Sequence, residues 1–234
     1  MVGVRHALLV YVMPRSLYER VEDTGAYGWA LLTLLGLILL IGYAEVQTGL
    51  IDQTVDKATK VKKEALEQTQ GGLIDRIELK DRMEAIDKQA VFDKMITRLG
   101  RIIVSPAYFL ASFLLISSIL YAMVALTGRK PEYHTLMSIC VYAGFIELVA
   151  YIVRLGMMLY YKTIDVDTSL GMLAPLGAPK WLSAVDPFRI WFWVLVALGL
   201  TVTRQLSRRM AIVSCTLLAL VAMAARAGLA VATG

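Results

Sequence analysis

The sequence predicts an all-α, polytopic membrane protein with five transmembrane helices and a charged helical hairpin between the first two spans. Composition is the first support: 58% of the 234 residues are hydrophobic and 18% are charged. Mean hydropathy is +0.63, whereas soluble domains hold about 45–50% apolar and about 25% charged residues. Second, apolar runs at 28–50, 105–127, 135–161, 187–203 and 210–230 approach or exceed the roughly 20 helical residues that cross a hydrocarbon core of about 30 Å. Third, residues 52–101 carry eleven Lys/Arg and ten Asp/Glu, a density of charge that lipid does not accept.

Residues 1–27 form an N-terminal segment before the first span. Arg5 and His6 precede the short apolar run ALLVYVM and Pro14, but no small-x-small cleavage site follows, so the segment is expected to belong to the mature protein. An interfacial helix fits it, with Leu8, Leu9, Tyr11 and Val12 against headgroups and Arg15 and Arg20 toward lipid phosphates. The first span is 28–50. An extramembrane helical hairpin at 51–104 follows, with Gly71-Gly72 as its turn. In its second helix Leu79, Met83, Ile86 and Ala90, then Phe92, Met95, Ile96 and Leu99, recur at helical spacing. That apolar side either packs on the first helix or headgroups, or meets another protein; Phe92, Met95, Ile96 and Leu99 are the partner-facing stripe expected nearest the bilayer.

Residues 105–234 complete the protein as a four-span bundle. Asp186-Pro187 marks the start of the fourth span, an acceptor at the N-cap followed by a ring that fixes φ at the first helical position. Trp181, Trp191 and Trp193 suit an interface. An odd number of spans places the termini on opposite sides. The N-terminal side then carries Arg5, Arg15, Arg20, Arg129, Lys130, Arg204, Arg208 and Arg209, which favours a cytoplasmic N-terminus. The basic residues of the charged segment act in the opposite direction.

Enzymatic templates are missing. No G-x-x-x-x-G-K-[ST], H-E-x-x-H or G-x-S-x-G occurs. His6 and His134 are the two histidines, so a histidine metal site has little material, and neither metal nor cofactor is expected. Cys140 and Cys215 fall in apolar runs and suit buried thiols. The net charge of +5 fits anionic lipid, and no basic stripe interleaved with aromatics supports nucleic acid.

The third span raises the one chemical question. FIELVAYIVRLG carries Glu147 and Arg154 seven residues apart, about 10.5 Å along a helix. Direct pairing is excluded at that separation. Arg154 can snorkel toward the surface and Glu147 cannot, while Arg226 of span five approaches Arg154's depth. A cluster of Glu147, Arg154 and Arg226 would lower the cost of an ionised carboxylate. It serves either helix packing or an ion path.

The order of parts resembles a bacterial member of the YIP-domain family, the Ypt/Rab-interacting type of five-span membrane protein. The features are MPRSLYERV before the first span, the charged insert, SPAYFL opening the second span, GRKPEYHTLMSICVYAG leading into the third, SLGMLAPLG, and VDPFRIWFWVLVALGL. In the last, Asp186, Pro187, Phe188, Trp191 and Gly199 match the family's opening of the fourth span and its glycine. The resemblance implies a non-enzymatic integral membrane subunit of the bacterial inner membrane that binds and organises other membrane proteins. An ABC-type export assembly or trafficking machinery is the implied partner. The short stretch before Tyr27 departs from the eukaryotic pattern, which has a GTPase-binding domain there, and favours the bacterial partner-subunit reading. The alternative is a small transporter or channel using Glu147, Arg154 and Arg226.

Overall fold

The structure is a computed structural model and describes residues 9–24, 27–70, 76–164, 166–173 and 180–232. The N-terminal run through Leu8, the Gly71-Gly72 turn and part of the 169–177 loop lie outside these residues. Two short helices open the described chain, α1 (Leu9–Val12) and α2 (Pro14–Thr24). Span one is α3 (Gly28–Gln47), and α4 (Leu50–Gln70) and α5 (Arg76–Leu99) form the hairpin. Helix α6 (Ser105–Leu126) is span two; α7 (Tyr133–Ala143) and α8 (Phe145–Tyr161) form span three. After the one-turn α9 (Leu170–Leu173) and a 3-10 turn at Lys180–Ala184, α10 (Pro187–Val202) and α11 (Arg208–Ala232) supply spans four and five. Five helices are thus long and apolar enough to cross a membrane, and no strand occurs among the described residues.

Span three is the centre of the bundle. Of its apolar window 72% is buried inside the protein, against 22–28% for the other four. Those four present Trp29, Leu40, Leu115, Val194 and Leu220 outward, as expected of helices that are apolar all round and face lipid. The central helix bends at Gly144, where Glu147 N donates to the Gly144 carbonyl at 3.0 Å. A Cβ at Gly144 would lie 2.4 Å from the Phe113 ring, so span two packs directly into this notch.

The N-terminal helices differ from the interfacial expectation. Val10, Leu17, Tyr18 and Val21 are fully enclosed in the same core cluster as α7 and α10. Tyr11 also donates its hydroxyl to the Phe145 carbonyl at the middle of span three. Part of this segment behaves as an interfacial helix would: Tyr11, Val12, Arg15 and Arg20 stay exposed. Burying the apolar face in protein satisfies it better than the headgroup region does.

Spans one and two meet the hairpin in different ways. The chain turns at Gly49, whose φ of +69° suits a residue without a Cβ, and α4 starts one residue later. On the return there is no break. Helix α5 runs through a π-helical turn at Gly100–Val104 into α6, giving one helix from Ile77 to Leu126, about 75 Å long at 1.5 Å per residue. Three ion pairs set the hairpin register: Asp52–Arg98, Asp56–Lys94 at 2.7 Å and Lys63–Asp87 at 2.7 Å. Each step of four or seven residues up α4 is matched by an equal step down α5, the signature of antiparallel helices in constant register. Beyond each other and the helices they continue, α4 and α5 form few contacts among the described residues.

At the foot of the hairpin, span one lies against the π turn. A Cβ on Gly42 would come within 2.3 Å of the Arg101 carbonyl oxygen and 3.0 Å of its carbon, a backbone surface that cannot swing aside. Gly36, on the same helix, faces open space. We expect Gly42→Ala to lower stability in detergent by about 1–3 kcal/mol, the scale of overpacking. Gly36→Ala should be neutral or slightly stabilising, because alanine is the better helix former. Thermal unfolding of the two variants side by side checks the contrast.

Candidate functional site

Charged side chains gather in two places at the end of the bundle from which the hairpin extends. The first is built on the Gly42 crossing. One turn beyond that glycine, Glu45 is 1% exposed, and its carboxylate lies 3.5 Å from Arg101 Nε of the π turn. Neither Glu45 oxygen has a hydrogen-bond donor in the protein, so the pair is held by charge more than by directional bonding. Arg154 of α8 is the neighbouring cation that acts on Arg101, and its Nε is buried without a hydrogen bond. Arg101 thus lies between a buried carboxylate and a second arginine.

The second place is a cavity of about 340 Å³ among spans two to five. Its charged lining is Glu147 from α8, Asp186 and Arg189 from the start of α10, and Arg226 from α11. The charges that act on Glu147 are those of Arg189, Asp186 and Arg226. Tyr108, Phe109 and Ser112 of α6 complete the wall. Tyr151, one turn after Glu147, packs edge-on to Phe109 with centroids 5.6 Å apart and lies within the electrostatic reach of Glu45, Glu147 and Arg154. This aromatic pair stands between the two places.

The expected trio is therefore divided. Glu147 and Arg226 share the cavity, while Arg154 does not line it and acts on Arg101 instead. The separation of Glu147 and Arg154 along α8 explains the division, because side chains that far apart serve different neighbours. Glu45, Arg101 and Arg189 were missed as members of these clusters. A lone acid near the end of the apolar run GLILLIGYAEVQ was the available signal for Glu45. Arg101 was concealed within a charged segment that looked wholly extramembrane.

The motif at span four has a structural account residue by residue. Asp186 sits at the N-cap with φ −116°; Oδ1 accepts from Phe188 N at 2.9 Å and Oδ2 from the Thr168 hydroxyl at 2.8 Å. Pro187 occupies the first turn, Phe188 packs on the core and Trp191 points outward. Gly199 permits contact: a Cβ there would meet Ile139 at 2.6 Å and the Tyr18 ring at 3.2 Å. The same aspartate that starts the helix thus also faces the Glu147 cavity. No group of three or more His, Cys, Asp and Glu residues arranged for a metal ion occurs among the described residues.

The hairpin stripe splits. Leu79, Met83, Ile86 and Ala90 are wholly or partly covered on the side facing α4. Phe92, Met95, Ile96 and Leu99 remain 56%, 50%, 49% and 42% exposed. The split follows from charge: near the foot of the hairpin Asp93, Lys94 and Thr97 take the sheltered positions, where Lys94 pairs with Asp56, and the apolar residues turn outward.

The division of the clusters yields a double-mutant test. Glu45→Gln should couple to Arg101→Met, and Glu147→Gln to Arg226→Met or Arg189→Met, by about 0.5–3 kcal/mol. Glu147→Gln with Arg154→Met should be additive within about 0.5 kcal/mol. Unfolding free energies in one detergent decide the assignment.

Compared with known protein families, the chain matches the Yip1 domain over residues 8–227. No curated protein and no solved structure matches it.

Proposed function

We propose, because this chain belongs to the Yip1 domain family, that it is a non-enzymatic integral membrane subunit that binds and organises other membrane proteins, an ABC-type export assembly or trafficking machinery among them. The exposed stripe Phe92, Met95, Ile96 and Leu99 is the observation that carries this reading. It lies on a hairpin whose two helices are joined by three ion pairs and which stands clear of the bundle. Four neighbouring apolar side chains on one helical face are a groove-binding or helix-binding pattern. The N-terminus on the cytoplasmic side and a bacterial inner membrane belong to the same proposal, supported by the arginines of the N-terminal side.

Because the stripe faces away from α4, it can be altered without opening the hairpin. Phe92→Ser with Ile96→Ser should lower partner recovery in mild detergent by at least about tenfold, given roughly 1.5–3 kcal/mol for each buried side chain. Hydrogen exchange across 55–100 should stay as in the unaltered protein. Undiminished recovery would remove the stripe from the interface.

A second reading is supported by the charged cavity. Glu147, Asp186, Arg189 and Arg226 around about 340 Å³ form a site for a small polar solute or ion. Flux into liposomes carrying the pure protein, lost on Glu147→Gln, would favour a transporter; no flux above empty liposomes would leave the cluster as a packing device.

A further inference from the structure

At the opposite end of the bundle, a groove of about 1,070 Å³ runs between α10 and α11. Trp193, Val194 and Leu198 line one wall, and Ile212, Leu220 and Met223 the other. At its mouth stand Arg15 and Glu19 of α2, Arg204 in the turn between the two spans, and Arg208 in the first turn of α11. Arg208 and Met223 are fifteen residues apart, about 22 Å along the helix, so the groove follows much of a hydrocarbon core about 30 Å thick.

We propose that this groove holds an anionic glycerophospholipid, its headgroup phosphate among Arg15, Arg204 and Arg208 and an acyl chain between α10 and α11. Charge supports the occupant. Glu19 is committed to Arg15 at 3.2 Å, while Arg204 and Arg208 form no ion pair with a carboxylate among the described residues. The first turn of α11 carries Arg208 and Arg209 and no acid, although the positive end of a helix dipole disfavours cations. An anion at this mouth offsets both.

The turn that carries the arginines is also fixed. Arg204 has a φ of +56°, a left-handed conformation that side chains other than glycine adopt infrequently. Arg129 Nη1 donates to its carbonyl at 2.6 Å. A distant loop therefore holds the turn in the form that brings Arg204 beside Arg208. A basic rim at headgroup level above an apolar trough matches a lipid with an acidic head and a long tail. A partner's helix would fill the trough and leave the rim uncompensated.

The test uses the full chain in mild detergent, with phosphatidylglycerol and phosphatidylcholine as probes in native mass spectrometry. The unaltered protein should retain phosphatidylglycerol at least tenfold more strongly. Arg15→Gln, Arg204→Gln and Arg208→Gln together should lower that retention roughly a hundredfold, the scale expected for three surface cations. Thr216→Trp, at an exposed position lining the trough, should also displace the lipid with every arginine present. Lys57→Gln with Lys60→Gln on the hairpin should change nothing. Equal retention of the two lipids, or retention by either groove variant, overturns the proposal. Should the triple variant fail to fold, a photoreactive residue replacing Thr216 in the otherwise unaltered protein decides. Crosslinking to phosphatidylglycerol supports the proposal, and crosslinking to a second protein overturns it.

Discussion

The close approach of Gly42 to the Arg101 carbonyl is the constraint on which the rest of the structure depends. It brings the backbone of span one against the π turn of span two, and in doing so it lets Glu45 reach Arg101. The π turn also carries the helix from the bundle into the hairpin without a break. A side chain at position 42 would push span one off the π turn and draw Glu45 away from its cation. Leu50, Met158 and Val166 brace the same foot as a second apolar cluster. The hairpin is thus an extension of the membrane bundle, joined to it where the buried charges lie.

This geometry sets the hairpin directly on the charged end of the bundle. Arg101 sits in the π turn that carries the hairpin into span two, paired with Glu45 and next to Arg154. At the other end, Gly199 performs a comparable task, since it admits Tyr18 and Ile139 to span four and binds the N-terminal helices to the core.

Much of the fold was legible in the sequence because hydropathy and length decide it physically: backbone polar groups in lipid are satisfied within helices, so long apolar runs become spans. Asp186-Pro187 marked a helix start for a local reason, a side-chain acceptor beside a preset φ. The rest depends on contacts between distant residues. Tyr11 meets Phe145, and nothing local distinguishes that tyrosine from an interfacial one. Arg101 follows a solvated charged helix, and only the Gly42 crossing turns it inward. The two halves of the hairpin stripe have the same spacing, yet the ion pairs with α4 shelter one half and expose the other.

The continuity of the helix from Ile77 to Leu126 is the central claim, because a hinge at the π turn would uncouple hairpin from bundle. Spin labels at positions 88 and 119, both exposed, with Cys140 and Cys215 replaced, allow a pulsed electron–electron distance measurement in lipid nanodiscs. Thirty-one residues of unbroken helix place the labelled backbones about 46 Å apart. A single narrow distribution near that value is predicted. A broad distribution, or one shifted well below it, would show a flexible joint and contradict the account.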